Sequence, residues 1–542
     1  MTAVSSRNRA PRSRPDGTFQ EFERAVMSLV HGGCCATPSL SVIRRQPAPP
    51  LRNNTKFRRL GRDAWIQTLS PRDPILSTIR DAFVLLDVTV AHADRPDEEH
   101  VDVLVSRRNF DRITPTGTAN IPPGAIVFEH ARGSIVSSAL IDMHVHMPPA
   151  NLLRLTDLFL LQTLRHGITI VRDASDPDGT ATPAALACVA SGALPGPEIH
   201  YSYGFVNAPP ARWSNSFVYD DPAQAPVIIK RLQWLGATWV KSYENLDLPR
   251  IEALKQAARE AGVGVLGHVP CGLGHEEALL PDSQHLLGVA PPSSIRRDHI
   301  FDRIYDWDAV HRRRIDVVRR ASVDHQLAVT PTLNAIAGVL DLERYQEVCR
   351  EPTARALPSF YSAVVFNPGK GLPIYRNLTK EDFGRCRRAV ERKQEFVSRL
   401  HHDGVTVLLG TDTQQPFVAP GIALHREFDA FDQAGVPRRD SFRLATATAA
   451  TVLGLTKVRT PAEGARAEVI VSRTDPRHSS WSVERDLINT KSDAAHIQPR
   501  ILSGSCLFRA AANSTKDVML GTLGDGGTVS DKAGTAFRFP GI

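Results

Sequence analysis

The chain has 542 residues, enough for three or four domains or for one large domain with attachments. Apolar residues make up 42% and charged residues 23%, as in an ordinary globular protein, which excludes collagen-like, wholly disordered and disulfide-scaffold classes. The net charge of +7 is concentrated in residues 1–75, where 13 Lys and Arg stand against 5 Asp and Glu, so the remainder gives no reason to expect nucleic-acid binding.

Residues 1–75 are predicted to form a basic, poorly ordered arm. Its Arg residues stand among Ser and Pro, which is typical of a solvated tail; docking onto nucleic acid or an anionic membrane surface is the alternative. Its best apolar run, 25–30, is too short for a secretory signal, and the seven scattered Cys favour reduced thiols. We therefore expect a cytoplasmic protein, and the lack of about 18 consecutive apolar residues argues against a membrane span.

Two segments on either side of the chain's centre have β character. In the first, 76–138, residues 83–90 are rich in β-forming side chains. The second, 456–510, returns to this character, for example at 467–471. A tail rich in Gly, Ser and Thr, 511–542, follows them.

Between these segments, over residues 139–455, short apolar strands alternate with helical stretches. A strand at 238–240 and another at 263–266 enclose a helical pattern over 248–261. Such alternation indicates a parallel sheet, and the length fits one closed barrel of eight units better than two open sheets. The stretch 336–378, rich in Tyr, Pro and Gly, is predicted to be an insertion over the barrel mouth.

The first predicted barrel strand ends in His144 and His146. Residues two apart in a strand point to the same face, so the two imidazoles would project together at its carboxyl end. Such a pair can bind a metal ion, although two ordinary polar residues near a strand end would give the same pattern.

Further polar side chains stand where other predicted strands end. They are Lys241, His268, His285 and Asp412. In a parallel barrel the carboxyl ends of the strands share one face, where the active site lies. Together with the first two histidines, this set predicts a metal site at that face.

In this order, the segments resemble the amidohydrolase superfamily, specifically its imidazolonepropionase-like branch, which includes metal-dependent Xaa-Pro dipeptidases. The resemblance covers roughly residues 81–510. Its motifs are Ile141-Asp142-Met143-His144-Val145-His146, Val240-Lys241-Ser242-Tyr243, Gly267-His268-Val269-Pro270, Gln284-His285-Leu286 and Gly410-Thr411-Asp412-Thr413. It implies an α/β fold, a (β/α)8 TIM-type barrel over 139–455 with a small β-sandwich domain built from segments on both sides of the barrel.

Several positions depart from the family's pattern. Ser137-Ser138-Ala139 stands where Pro-Gly is usual, Gln284 replaces a common Glu, and Glu468 replaces the usual Asp. None of these changes removes an expected metal ligand. Arg172, after the second predicted strand, could contact the substrate or form a surface ion pair.

The resemblance implies two divalent metal ions, with zinc as the expected metal. The ligands would be His144, His146 and Asp412 for one ion, and His268 and His285 for the other. Lys241 would be carboxylated by carbon dioxide, and its carbamate would bridge both ions. Burial at a strand end favours the neutral amine that can react in this way. An uncarboxylated Lys241 near a single metal is the alternative.

The implied catalytic residues are Asp412, Lys241 and Tyr243. Asp412 would accept a proton from a water molecule that bridges the two metal ions, which leaves a bridging hydroxide. It would then deliver this proton to the leaving group. Tyr243 would donate a hydrogen bond to the substrate carbonyl, with packing at the rim as the alternative. The expected reaction is hydrolysis of an amide or peptide-like C–N bond in a small molecule, with dipeptides among the candidates.

Two other functions fit the same residues. A lactone or phosphotriester hydrolase could use the same site, and a barrel that had lost its chemistry could serve as a binding protein. All six ligand positions are filled, which favours catalysis. The expected partners are a small-molecule substrate and further copies of the chain in a homo-oligomer, with no nucleic acid at the barrel.

Overall fold

A computed structural model describes most of the chain beyond residue 81. The described residues are 82–107, 109–128, 131–148, 155–190, 196–295, 300–357, 361–413, 415–458, 460–478, 500–503, 506–509, 528–530 and 536–538. The predicted basic arm at 1–75 lies outside them, as does most of the predicted tail at 511–542. The domain boundaries expected from the sequence stay predictions.

The strands divide between an N-terminal group, a central group and a few short pairs near the C-terminus. They are β1 (Ala82–Val90), β2 (Glu98–Ser106), β3 (Asn109–Pro115), β4 (Ile126–Phe128), β5 (Ile135–Ser138), β6 (Leu140–Val145), β7 (Ile168–Asp173), β8 (Glu198–Tyr201), β9 (Phe205–Asn207), β10 (Ser216–Val218), β11 (Trp239–Ser242), β12 (Gly264–Gly267), β13 (Asp282–Gln284), β14 (Ala328–Thr330), β15 (Thr406–Val407), β16 (Val469–Ser472), β17 (Arg500–Ser503), β18 (Cys506–Arg509), β19 (Thr528–Ser530) and β20 (Ala536–Arg538).

Helices occur between the central strands and after them. They are α1 (Leu155–Arg165), α2 (Ala181–Ala190), α3 (Ala225–Trp234), α4 (Leu248–Glu260), α5 (His275–Ala278), α6 (Ile300–Tyr305), α7 (Arg312–Asp324), α8 (Leu333–Gly338), α9 (Tyr345–Val348), α10 (Pro352–Arg355), α11 (Lys380–His402), α12 (Ile422–Gln433), α13 (Arg438–Arg443) and α14 (Ala449–Val452).

The N-terminal strands share a mixed sheet with strands from the other end of the chain. Its order is β18-β17-β16-β5-β1-β2-β3, with β4 also paired to β1. β16 runs antiparallel to β5, and Val469 lies opposite Ser138. Both predicted β segments therefore contribute to one sheet. Two separate layers of a β-sandwich are not seen among the described residues, so the sandwich stays a prediction.

Alternating apolar side chains hold this sheet together. Phe83 pairs with Val105, and Leu85 pairs with Val103, across β1 and β2. All four are buried, and Val469 of β16 packs in the same cluster. Because strand side chains alternate between faces, these residues supply one shared apolar face.

The strands that carry the predicted site run parallel in two sheets. One has the order β6-β7-β8 and the other β10-β9-β11-β12-β13-β14-β15. Backbone hydrogen bonds connect them, from Thr238 N to Tyr201 O at 3.1 Å and from Met143 N to Leu409 O at 3.0 Å. The predicted parallel α/β arrangement is present. The described residues do not, however, form one continuous closed sheet of eight strands.

Helix α4 shows why the central helices form where the sequence predicts them. The carboxylate of Asp247 accepts a hydrogen bond from Arg250 N at 3.1 Å and so caps the first turn. Ile251, Leu254 and Ala258 are buried along one side, as the helical spacing of apolar residues requires. The predicted helix is confirmed to within one residue.

The described residues of the predicted insertion at 336–378 fold as short helices between β14 and α11. The hydroxyl of Tyr375 donates a hydrogen bond to Gln415 Oε1 at 3.0 Å. Gln415 follows Asp412 by three residues, so the insertion packs beside the carboxyl end of β15. This side of the sheet is the one on which the predicted ligands lie.

None of the helices in the described part of the chain has both the length and the apolar content needed to cross a bilayer. The cytoplasmic location and the homo-oligomeric state stay predictions.

Candidate active site

The six predicted metal ligands are all buried and lie at carboxyl ends of parallel strands. In chain order they are His144 in β6, His146 just after it, Lys241 in β11, His268 after β12, His285 after β13 and Asp412 beyond β15. Because neighbouring parallel strands end at one edge of a sheet, residues far apart in the chain meet there.

His144, His146 and Asp412 form the most compact group. The Nε2 atoms of the two histidines lie 3.3 Å apart. Asp412 Oδ1 is 3.4 Å from Nε2 of His144 and 3.3 Å from Nε2 of His146. Ligand atoms around one tetrahedral ion, each about 2.0–2.1 Å from it, lie about 3.3–3.4 Å apart. The spacing therefore fits a single metal ion between these three residues.

The hydrogen bonds on the far side of each ring fix which nitrogen carries the proton. His146 Nδ1 lies 2.7 Å from the carbonyl oxygen of Ser175, which can only accept, so Nδ1 is protonated. His144 Nδ1 is hydrogen bonded to the amide oxygen of Gln284 and is protonated for the same reason. Both Nε2 atoms are then lone-pair donors facing the Asp412 carboxylate. Three lone pairs so close together repel one another, and a cation bound between them would remove this repulsion.

Burial keeps the imidazoles of His144, His268 and His285 neutral. It lowers the pKa of His144 to about 3, with the charge of Lys241 as the second cause. Burial also lowers the pKa values of His268 and His285 well below the usual range. For Asp412, burial alone would raise the pKa, but the surrounding histidines, His285 foremost, hold it well below its ordinary value. Neutral imidazole and ionised carboxylate are the forms that bind metal.

His268 and His285, the predicted ligands of a second ion, adjoin the first group. The ring centroid of His285 lies 4.7 Å from that of His144 and 5.1 Å from that of His268. His285 Nδ1 lies 3.9 Å from Asp412 Oδ2 and is hydrogen bonded to Thr332 Oγ1 at 2.7 Å. The structure thus brings all four predicted histidine ligands together, while their assignment to two ions stays a prediction.

Lys241 and Tyr243, the other predicted catalytic residues, are fully buried beside these histidines. The charge of Lys241 is the second cause, after burial, of the lowered pKa of His268. The ring of Tyr243 stacks on His268 with centroids 4.6 Å apart and meets Phe205 edge-on at 4.8 Å. Their catalytic roles and the carbamate on Lys241 stay predictions.

Asp142 is a site residue that was not predicted. Its carboxylate accepts hydrogen bonds from His144 N at 3.1 Å and from Thr411 N at 3.1 Å and Oγ1 at 2.8 Å. It therefore joins β6 to the turn before Asp412, which has a positive φ of 50°. Burial raises the pKa of Asp142 to about 7. The available signal was a carboxylate inside an otherwise apolar strand next to His144.

Arg172 does not fit one of its two sequence interpretations. It has no exposed surface, so the interpretation as a surface ion pair is wrong. Its guanidinium pairs with Asp282 and donates from Nε to Met143 O at 2.8 Å, beneath the ligand histidines. A buried guanidinium needs a carboxylate and hydrogen-bond acceptors of this kind, because an unpaired buried ion is strongly destabilising.

The chain was compared with protein families and with solved structures. Residues 135–499 match the family model for amidohydrolases. A solved bottromycin amidohydrolase is 21% identical over 84% of this chain and 91% of that chain, with a TM-score of 0.58. An Xaa-Pro dipeptidase with bound methionine is 14% identical over 79% of this chain and 100% of that chain, with a TM-score of 0.55.

A further solved structure is a prolidase complexed with N-methylphosphonate-L-proline. It is 16% identical over 79% of this chain and 99% of that chain, with a TM-score of 0.54. No curated protein matches the chain by sequence. At these low identities the structural likeness shows a shared fold.

Proposed function

This chain belongs to the amidohydrolase family, and we propose that it is a metal-dependent hydrolase that cleaves a C–N bond in a small, dipeptide-like molecule. The observation that carries this proposal is the convergence of three lone-pair donors, His144 Nε2, His146 Nε2 and Asp412 Oδ1, within 3.4 Å of one another. Two of the similar structures are an Xaa-Pro dipeptidase and a prolidase, which supports a dipeptide as the substrate class.

The proposed metal content is two divalent ions, with zinc as the expected metal. His144, His146 and Asp412 would hold one ion, and His268 with His285 the other. Such ions supply Lewis acidity and lower the pKa of a bound water molecule toward neutrality. Nitrogen and carboxylate ligands of this kind suit zinc, and a carbamate on Lys241 would add a shared anionic oxygen ligand.

The remaining chemistry falls to residues of this chain. A carboxylate oxygen of Asp412 would take a proton from the attacking water and pass it to the leaving nitrogen. Tyr243, two residues after Lys241, would donate a hydrogen bond to the carbonyl oxygen of the substrate as negative charge develops there. The buried surroundings of Asp412 exclude bulk water and strengthen these interactions.

We further propose that β6, β7, β8, β11, β12, β13, β14 and β15 are the eight strands of a TIM-type barrel. The bonds from Thr238 N to Tyr201 O and from Met143 N to Leu409 O support this closure, since they join the two sheets at both ends. The mixed sheet would fold over itself as the small β-sandwich domain. The protein would act on a small-molecule substrate and would assemble as a homo-oligomer.

Elemental analysis and a substrate panel test the function. The purified full chain should hold about two divalent ions and should hydrolyse members of a panel of Xaa-Pro and other dipeptides, N-acyl amino acids, lactones and phosphotriesters. A chelator should abolish hydrolysis, and Zn or Mn should restore it. Absence of bound metal, with no hydrolysis after metal is added, would refute the proposal. Hydrolysis confined to lactones or phosphotriesters would replace the proposed substrate class.

Asp412→Ala separates catalysis from binding. The variant should lose hydrolysis and at least one ion, because it removes both a ligand and the proposed proton acceptor. A protein that only binds its small molecule would keep its affinity for that molecule in Asp412→Ala, as measured by calorimetry. Circular dichroism of both proteins controls for folding.

A further inference from the structure

A line of buried polar side chains leads away from the metal ligands into the sheet. The amide oxygen of Gln284 accepts a hydrogen bond from His144 Nδ1, and its Nε2 donates to Asp282 Oδ1 at 2.7 Å. Asp282 pairs in turn with Arg172 and accepts a hydrogen bond from Thr330 Oγ1 at 2.9 Å. All five side chains are buried, so water does not compete for these bonds.

The charge of Asp282 determines how the Gln284 amide is turned. A carboxylate accepts hydrogen bonds and donates none, so it must face the NH2 group of the amide. The amide oxygen then faces His144 and can accept only a proton carried on Nδ1. This leaves Nε2 of His144 unprotonated, directed toward His146 and Asp412, which is the form that a metal ion requires.

Arg172 is the charged partner of Asp282 within this arrangement. The guanidinium lies over the ring of Trp239, 4.5 Å from its centroid, and Nε is fixed by Met143 O at 2.8 Å. Asp282 therefore has a guanidinium partner whose position is itself fixed by two further contacts. Gln284 is an uncharged link between this ion pair and the predicted metal ligand His144.

We propose that Gln284 is a positioning residue that sets the tautomer of His144, and that Asp282 orients Gln284 for this task. The inference rests on the metal site of the proposed function and goes beyond it, because it assigns a role to a residue that does not touch the metal. A neutral amide performs this role without placing a second carboxylate beside Asp282.

Gln284→Met tests the inference through metal binding rather than activity. Methionine has nearly the same length but neither accepts from His144 nor donates to Asp282. The affinity for one of the two ions should fall about 10–100-fold, as expected when an outer hydrogen bond to a ligand is lost. Competition with a chromophoric chelator, using Zn(II) and Co(II), gives the affinity. The Co(II) absorption spectrum reports any change in ligand geometry.

Gln284→Glu should separate positioning from packing. Its side chain still offers an oxygen to His144 Nδ1, and in its protonated form it can also donate to Asp282. We expect metal affinity within about threefold of the unmodified chain, together with a lower melting temperature, because two carboxyl groups adjoin. Gln284→Met should show the opposite pattern, with weaker metal binding and a smaller change in melting temperature.

Thr330→Val is the matched control in the same network. It removes a hydroxyl that donates to Asp282 but leaves the contact between Gln284 and His144 unchanged. Equal losses of metal affinity in Thr330→Val and Gln284→Met, or unchanged affinity in Gln284→Met, would overturn the inference. If Gln284→Met does not fold, Gln284→Asn, whose amide is one methylene too short to reach, makes the same test. An unmodified chain without metal would instead refute the proposed function itself.

Discussion

His285 and Thr332 are joined by a 2.7 Å hydrogen bond between Nδ1 and Oγ1, although 47 residues separate them. Both residues have positive φ angles, 61° and 52°, which cost about 1–3 kcal/mol each for residues other than glycine. Glu427 holds the chain after Thr332, because its carboxylate oxygens accept from Leu333 N at 2.9 Å and Asn334 N at 2.6 Å. The surrounding structure therefore maintains a strained pair at the site.

Thr332→Val removes the hydroxyl while keeping the branched shape of the side chain. The ring of His285 then loses the partner that fixes its orientation, so the affinity for the ion assigned to His268 and His285 should fall about tenfold or more. Thr332→Ser keeps the hydroxyl and should stay close to the unmodified chain. Zn(II) titration against a chelator measures all three proteins. Equal binding by the Val and Ser variants would contradict the prediction.

Lys241 gives a chemical test of the carbamate. Lys241→Ala should lose at least one ion and most hydrolysis, and formate or acetate should restore part of both by supplying an anionic oxygen in the vacated space. Lys241→Arg should show no recovery, because a guanidinium is a fixed cation that cannot ligate a metal. Metal analysis with and without the added acid provides the readout. Full metal content in Lys241→Ala would contradict a bridging role.

The strand-end ligands could be predicted from sequence because their signals are local. A pair of histidines two residues apart and a lone carboxylate after an apolar strand are visible without knowing the fold, and parallel packing brings such ends together. The strand predicted at 263–266 and the helix at 248–261 were confirmed for the same reason, since burial patterns follow the period of each element.

The connections behind the ligands could not be predicted in this way. The contact between His144 and Gln284 spans 140 residues, and that between Asp142 and Thr411 spans 269. Such bonds depend on the orientation of each side chain after the strands have packed. The spacing of apolar residues along a segment does not indicate this orientation. Gln284 stood out in the sequence only as a departure from the family's pattern.

His275 should make stability depend on pH in the acidic range. It is fully buried with Nε2 3.0 Å from Ser322 Oγ, and burial lowers its pKa to about 4 from 6.5. Because the folded state resists protonation, stability is fully present above pH 6.5 and is lost as the pH falls toward 4. The loss should reach about 2 kcal/mol at pH 5.

Urea unfolding at pH 7.5 and pH 5.0, with chelator present so that metal loss does not contribute, measures this effect. His275→Gln should show a smaller fall in unfolding free energy between the two pH values than the unmodified chain, because the titrating group is absent. His402→Gln, which removes an exposed histidine at the end of α11, should keep the original difference. Identical pH dependence in all three proteins would show that His275 contributes nothing to acid stability.

Tyr243 has two alternative roles, which are hydrogen bonding to the substrate and packing against its neighbours. Its ring stacks on His268 and meets Phe205, contacts that Tyr243→Phe preserves, so this substitution isolates the hydroxyl. If the hydroxyl stabilises developing charge on the substrate carbonyl, kcat should fall about 100-fold while metal content and melting temperature stay unchanged. Tyr219→Phe, which removes a hydroxyl that donates to Arg250 O in α4, is the control and should keep kcat. Unchanged kcat in Tyr243→Phe would mean that the ring alone matters, holding His268 in place by stacking.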